Sequence, residues 1–350
     1  MIYIHIPFCL KKCLYCDFYS ITDSSLYEAY TEAVIKEIKE HKGKNVETVY
    51  IGGGTPTSIG DGLKRIIEAV TDNFQLSEDY EFTVETNPKT SDSVLINDIA
   101  QMGVNRISLG AQSFIDSELK TLGRIHTSKE IFDSVEAIRR AGIKNLSLDL
   151  MFGIPDQTIE TLSKSLECIL KLNPEHISAY SLILEEGTPF YNMDLSFPNE
   201  DIEREMYYLI NETLENNGIY RYEISNYAKK GMESKHNTRY WKDYEYIGIG
   251  AGAHSYNNGK RYNNVCDVAK YITGAEKKEN ITLISREERN LELFMLGLRL
   301  KEGIIYNGEY PEKVYPLIKK GLLEMCGNNL KLTPRGTDLA NLVFMEFTND

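Results

Sequence analysis

Three of the six cysteines, Cys9, Cys13 and Cys16, fall within eight residues of the opening stretch MIYIHIPFCLKKCLYCDFYS. Their CxxxCxxC spacing is not that of structural zinc, which pairs two CxxC knuckles or adds a histidine a dozen or more residues on. The next histidine is His41, inside a helix-like stretch. Three thiolates suit a [4Fe–4S] cluster that leaves one iron open for a substrate or cofactor, because thiolates are soft ligands for iron. A zinc ion completed by His5 or Asp17 is the alternative reading of the same residues. Phe8 and Phe18 flank the cysteines and are expected to wall the metal from water. Cys168, Cys266 and Cys326 stand alone in the sequence and are expected to be buried structural thiols.

A second signal is GGGTPT at 52–57, directly behind a strand-like VETVYIG. Consecutive glycines free backbone N–H and C=O groups to approach a small polar ligand closely. The run lacks the GxGxxG spacing of a dinucleotide turn, and Pro56 does not fit such a turn into a helix. Further along, HNTRYW (236–241) joins a histidine to aromatics and contains the only tryptophan. On its residues alone, that segment reads as a structural cluster.

The elements that must position these groups follow a regular rhythm. Strand-like segments IYIHI, VETVYIG, EFTVE, NRISLG, KNLSLDL and EHISAYS are separated by helical stretches near 27–41, 61–74, 91–102, 127–141 and 158–171; another spans 200–217. Such alternation indicates βα units and a parallel sheet. The expected fold class is α/β, a partial (β/α)6 barrel with additional C-terminal strands and a small helical, winged-helix-like tail. Its site would lie at the strands' C-terminal ends; a doubly wound sheet is the competing reading. The domain expectation is a barrel over 1–217, an aromatic- and glycine-rich extension over 218–280, and a helical tail over 281–350. At 42% hydrophobic and 26% charged, the composition is that of an ordinary globular protein. A net charge of -13 disfavours unaided nucleic-acid binding. No secretory signal and no apolar run of membrane-spanning length is visible, so a cytoplasmic location without disulfides is expected.

The motifs then carry a resemblance. CLKKCLYC and GGGTPT are similar to the cluster and glycine motifs of the radical S-adenosylmethionine enzymes. YIHIPFC, GGGTPT, ETNP, GVNRISLGAQSF, LGRIHT, DLMFGIPDQT and GAGAHS, in this order across about 250 residues, resemble the group that holds oxygen-independent coproporphyrinogen III oxidase and the HemW-type heme chaperones. The resemblance implies that Cys9, Cys13 and Cys16 bind a [4Fe–4S] cluster whose open iron is chelated by S-adenosylmethionine. Reduction would cleave that cofactor to methionine and a 5'-deoxyadenosyl radical. Gly52, Gly53, Gly54 and Thr55 would form the strip at the cofactor's methionyl amino group, and Glu85 would accept that group's hydrogen bonds. Gln112 and Arg124 would lie at the ribose and carboxylate, an arginine fork matching a carboxylate in shape. Asp149 would accept ribose hydroxyls, Tyr3 would hydrogen-bond the cofactor, and Tyr15 would pack beside the adenine. No catalytic residue beyond the cluster is implied.

Two departures from the oxidase pattern favour the chaperone branch. The oxidase has a further cysteine where this chain has Phe18, and a longer arm ahead of its first strand, where this chain has only Met1. HNTRYW matches the HNxxYW motif associated with heme binding in that branch, which makes His236 the candidate axial ligand and Tyr240 and Trp241 the adjacent wall. The resemblance thus implies a chaperone that binds heme and passes it to an acceptor, such as a respiratory, membrane-associated protein, without coproporphyrinogen oxidase activity. The alternative is the oxidase itself, decarboxylating two propionates by way of the 5'-deoxyadenosyl radical. His254 in GAGAHS has no assigned role, and a homodimer stays open.

Overall fold

The computed structural model describes residues 1–274 and 278–348. Six parallel strands form its centre: β1 (Ile2–Ile6), β2 (Asn45–Gly53), β3 (Gln75–Thr86), β4 (Arg106–Gln112), β5 (Asn145–Phe152) and β6 (His176–Ser181). They are the six strands expected, in sequential order. Helices α1 (Tyr27–Glu40), α2 (Asp61–Asn73), α3 (Ser93–Gln101), α4 (Asp116–Thr121), α5 (Ser128–Arg140), α6 (Ile159–Leu172) and α7 (Glu200–Asn216) connect them or follow the last. Their starts are chemically marked. Asp92, Thr158 and Asn199 cap α3, α6 and α7, and Thr127 and Glu130 form a capping box on α5.

Alternation along each strand sorts the residues by chemistry. Ile2, Ile4 and Ile6, Val49 and Ile51, Phe82 and Val84, Ile107 and Leu109, and Leu146 and Leu148 are all fully buried against the helices. The alternate positions, among them Tyr3, Tyr50, Glu85, Arg106, Asp149 and His176, turn to the concave face. That polar concave face is what the fold offers to a ligand.

The segment after 217 holds short strands: β7 (Tyr220–Arg221), β8 (Asn226–Ala228), β9 (Ile247–Ile249), β10 (His254–Asn257), β11 (Lys260–Asn264) and β12 (Lys278–Leu283), with helices α8 (Lys235–Trp241) and α9 (Val268–Thr273). The sheet therefore runs past 217, in the order β7-β8-β6-β5-β4-β3-β2-β1-β9. Strand β8 is antiparallel to β6, and β9 is parallel to β1 on the opposite edge. Strands of two or three residues are too short to show an alternating pattern, which is why the sequence looked aperiodic here.

The tail comprises α10 (Arg286–Gly297), β13 (Ile304–Ile305), α11 (Pro311–Lys319), the hairpin β14 (Leu323–Cys326) and β15 (Asn329–Leu332), α12 (Pro334–Asp338) and α13 (Ala340–Met345). The expected helices, hairpin and following helical segment are all present; β13 adds a third antiparallel strand beside β15. It has its own core around Phe294, Val314, Leu330 and Phe344, with Phe294 stacked on Phe347 at 4.8 Å. The Lys301 N–H donates to Tyr222 O (2.9 Å), tying this unit to the end of the barrel sheet. Among the described residues no helix is long and apolar enough to cross a membrane.

Candidate functional site

The cysteines lie on a loop that leaves β1 at the C-terminal end of the sheet. Its base is closed by a bridge between Phe8 and Ile21, with the Cys9 N–H donating to Ile21 O (3.0 Å) and the Ile21 N–H to Pro7 O (2.8 Å). Its middle is held by two distant segments. The Leu14 N–H donates to Leu122 O (3.1 Å), and the Phe190 N–H to Leu14 O (3.0 Å). Phe8 is fully buried against Tyr27 and Tyr30, with ring centroids 4.7 and 5.1 Å away. Phe18 departs from its expected place and is 64% exposed. The three loop cysteines are half-buried, and burial pushes the Cys16 thiol up to about 11 and that of Cys9 upward. Among the described residues no three His, Cys, Asp or Glu side chains are placed to share one ion. His5 is engaged elsewhere: Nδ1 lies 3.0 Å from Tyr3 Oη and Nε2 3.1 Å from Tyr19 O.

The glycine run forms the floor beside this loop. The Gly54 N–H donates to Ile6 O (2.9 Å) and the Thr55 N–H to Phe8 O (2.7 Å), so the end of β2 continues the pairing with β1. A Cβ on Gly54 would lie 2.6 Å from Phe8 O and 3.0 Å from Cys9 Sγ; one on Gly52 would lie 2.9 Å from the Glu85 carboxylate. The strip is thus squeezed between a cysteine and a carboxylate, and only glycine fits it. Thr55 Oγ1 lies 3.5 Å from Cys9 Sγ and accepts from Asn87 Nδ2 (2.7 Å).

The polar residues expected around a ligand converge on the same end of the sheet. Glu85 accepts from Tyr50 Oη (2.7 Å) and the Gly53 N–H (3.1 Å), yet burial raises its carboxyl to about 7. Asp149 accepts from Ser108 Oγ (3.2 Å) and burial raises it to about 6. Gln112 ends β4 in the left-handed region (φ 67°), with Oε1 accepting from Tyr180 Oη (2.7 Å). Arg124 donates to Gly110 O (2.6 Å) and Asn87 Oδ1, and its NH1 reaches Cys13 Sγ at 3.5 Å. Tyr15 packs on Phe190 at 6.5 Å, and burial raises its hydroxyl. Cys9, Cys13, Gly52–54, Thr55, Glu85 and Arg124 are therefore linked by direct contacts, while Tyr3, Gln112 and Asp149 stand on neighbouring strands of the same concave face.

His236 lies below this pocket, its ring 5.1 Å from that of Tyr50, which bonds Glu85. It sits in α8, 1% exposed, with Nδ1 2.8 Å from Thr48 Oγ1 and Nε2 3.2 Å from Tyr240 Oη. Its backbone N–H donates to Glu81 Oε1 (3.0 Å). Thr48 and Glu81 are paired five residues before the C-terminal ends of β2 and β3, away from the cysteine loop. Burial holds the imidazole neutral, well below its usual range. His254 is exposed at the start of β10, next to a GAGAHS loop clamped by Tyr30 Oη, which donates to His5 O (2.8 Å) and accepts from the Ala251 N–H (2.9 Å). Of the isolated cysteines, Cys168 is half-buried on α6, whereas Cys266 and Cys326 are exposed rather than buried. Sequence reasoning missed Tyr50, Asn87, Arg106 and Tyr180. The signal for Tyr50 and Arg106 was their inward phase on β2 and β4, and that for Asn87 its place in the ETNP motif.

Comparison with known proteins places this geometry in a lineage. The Radical SAM superfamily model matches residues 3–169. The protein named heme chaperone HemW in Lactococcus lactis is 38% identical, over 99% of this chain and 97% of its own. The one so named in Bacillus subtilis is 39% identical over 99% of both chains, and that in Escherichia coli 32% over 96% and 94%. Among solved structures, the E. coli coproporphyrinogen III oxidase, described as a radical SAM enzyme, superposes with a TM-score of 0.88. It covers 99% of this chain and 89% of its own at 21% identity, a likeness of fold. The superfamily implies a [4Fe–4S] cluster and S-adenosylmethionine. With such identity along almost the full length of both sequences, the chain belongs to the HemW family of the radical S-adenosylmethionine superfamily.

Proposed function

We propose that the chain is a heme chaperone, which binds heme and hands it to an acceptor protein, and that it carries a [4Fe–4S] cluster able to bind S-adenosylmethionine. The observation that carries the proposal is the 38–39% identity, over both chains' lengths, to proteins named heme chaperones. The donor chemistry agrees. Three thiols share one loop, and the glycine strip against Cys9 has no room for any side chain. Cys9, Cys13 and Cys16 would hold the cluster, each thiolate on its own iron, which needs no common point for a single ion.

When bound and reduced, cluster and cofactor supply a 5'-deoxyadenosyl radical. The chain's own residues prepare the pocket. Gly52, Gly53, Gly54 and Thr55 let a ligand lie against backbone, and Glu85 offers the cofactor's ammonium a carboxylate already aimed by Tyr50 and Gly53. Arg124, anchored on Gly110 and Asn87, offers the cofactor carboxylate a fork and Cys13 a positive field. Gln112 and Asp149 would take the ribose, Tyr3 would add a hydrogen bond, and Tyr15 would cover the adenine. Leu14 and Tyr15 pack on the apolar cluster around Phe190, which anchors the cysteine loop on this side.

The heme assignment rests on His236 as axial ligand beside Tyr240 and Trp241. In the structure both ring nitrogens have partners, so ligation would require α8 to release one of them. The proposed division of labour is the barrel over 1–217 for the cluster, the extension over 218–280 for heme, and the tail over 281–350 for packing against the barrel, in the cytoplasm. The deciding experiment incubates anaerobically reconstituted protein with S-adenosylmethionine, a strong reductant and coproporphyrinogen III, and follows the porphyrin by mass. An intact porphyrin with saturable heme binding is expected. Repeated loss of two carbon dioxide units would overturn the chaperone in favour of the oxidase.

A further inference from the structure

Among the described residues the largest fully buried side chain is that of Arg106, 1% exposed on the concave face of β4. Its five donors are poorly served. NH1 reaches Thr83 Oγ1 at 3.4 Å, Nε has no partner, and among the described residues its guanidinium forms no ion pair. A buried charge in that condition is costly to the fold unless something else uses it. Register shows what lies nearby. Arg106 is level with Thr83 on β3, one inward-facing rung below the level of Glu85 and Ser108, and Ser108 bonds Asp149 on β5. Both carboxylates stand half-buried on the same concave face, on strands two apart in the sheet, and the charge of Asp149 raises Glu85.

We propose that Arg106 is a positioning residue of the cofactor pocket: its unpaired guanidinium, on the lumen floor, keeps Glu85 and Asp149 in the carboxylate form that a cofactor ammonium and ribose require. This rests on the cofactor reading above. The other groups facing the pair do not supply that charge. Tyr3 on β1, Tyr50 on β2 and Tyr180 on β6 are neutral phenols whose hydroxyls burial pushes upward. His176 on β6 is held neutral by burial, then by Arg106 itself, between Ser147 Oγ and Tyr222 Oη, each 2.8 Å away. Arg124 is the second cation acting on Asp149, but it is bound to Asn87, Gly110 and Cys13 at the rim. Burial lifts Glu85 to about 7 and the charge of Asp149 adds to this, while the Tyr50 hydroxyl, the Gly53 N–H and Arg106 oppose it. Arg106 is thus one of three groups that favour the carboxylate form of Glu85, and it is the charged one.

The test uses anaerobically reconstituted holoprotein and equilibrium dialysis of S-adenosylmethionine from pH 6.5 to 9, for wild type, R106K, R106Q and R106M. R106Q keeps a donor for Thr83 and stands in should R106M not fold. Loss of the cation is expected to weaken binding about tenfold at pH 7 and only about twofold at pH 9, as the carboxylates ionise unaided. R106K should follow wild type, and adding E85Q to R106Q should flatten the pH dependence. A neutral variant that weakens binding equally at every pH, or that matches wild type, would overturn the proposal. If wild-type holoprotein binds no S-adenosylmethionine at any pH, the cofactor reading itself falls, an outcome distinct from either.

Discussion

His236 has two roles to reconcile, and replacing it separates them. In the structure the ring fills a slot between Thr48, 0% exposed, and Tyr240, with rings 4.9 Å from Tyr240 and 5.1 Å from Tyr50. His236→Leu removes the bonds to Thr48 and Tyr240 but leaves the backbone N–H to Glu81 in place. Stranding the Thr48 hydroxyl costs about 1–3 kcal/mol, and the bond to Tyr240 adds about 1 kcal/mol, so a loss of about 2–4 kcal/mol is expected. Urea unfolding of the cluster-free chain at pH 7.5 measures it, with an unchanged slope if only the native state is affected. A loss below about 0.5 kcal/mol would refute the buried slot, being the range of an unremarkable surface substitution. The same variants address heme. If α8 must release the ring before iron can bind, Tyr240→Phe, which frees Nε2, should speed the growth of heme absorbance, and folded His236→Leu should abolish the ligated spectrum. A ligated spectrum unchanged in folded His236→Leu would remove His236 as the axial ligand.

Other outcomes follow from the same geometry. Gly54→Ala forces a methyl onto Phe8 O and Cys9 Sγ, so it should cost about 1–3 kcal/mol and lower the iron bound per chain after reconstitution. Serine at Cys9, Cys13 or Cys16 should abolish the cluster absorbance, whereas serine at exposed Cys266 should leave iron content unchanged. His126, lowered to about 4 chiefly by burial and next by Arg124, and His176 are buried neutral. Their unfolded forms bind protons first, so stability is full above about pH 6.5 and is lost as pH falls towards 4, which Tm against pH would report. Glu85 has the opposite sign. Its carboxyl is raised from 4.5 to about 7, so the cluster-free fold should lose stability as pH rises through that window. The full shift corresponds to about 3 kcal/mol, and Glu85→Gln should remove this slope.

The barrel was legible because each central strand alternates over at least five residues and each intervening helix carries an apolar stripe. Ile2, Ile4 and Ile6 went outward and Tyr3 and His5 inward, as alternation requires. The added edges were not legible: β7, β8 and β9 have two or three residues each and acquire meaning only from their partners β6 and β1. The cysteine loop and glycine strip could be read because their chemistry is local. Arg106 could not, since its importance lies in a buried guanidinium with an unbonded Nε and, among the described residues, no carboxylate in ion-pair reach, a property of the space around it. Phe18, Cys266 and Cys326 misled for a related reason. An isolated apolar or thiol residue outside a periodic segment carries no sign of which way it faces.

The placing of β1 between β2 and β9 also bears on how the protein is made. The three loop cysteines are synthesised well before the distant contacts that shape their loop, which come from Leu122, Phe190 and Val268, the last donating its N–H to Tyr19 Oη (2.9 Å). Ribosomal synthesis proceeds at about 5–20 residues per second, so the thiols wait on the order of tens of seconds for their surroundings. A nascent chain halted before residue 247 would present β1 with one unpaired edge and three unprotected thiols, open to oxidation or to scavenging of stray metal. A cluster held by these thiols would therefore be loaded only once the distant contacts of their loop are in place.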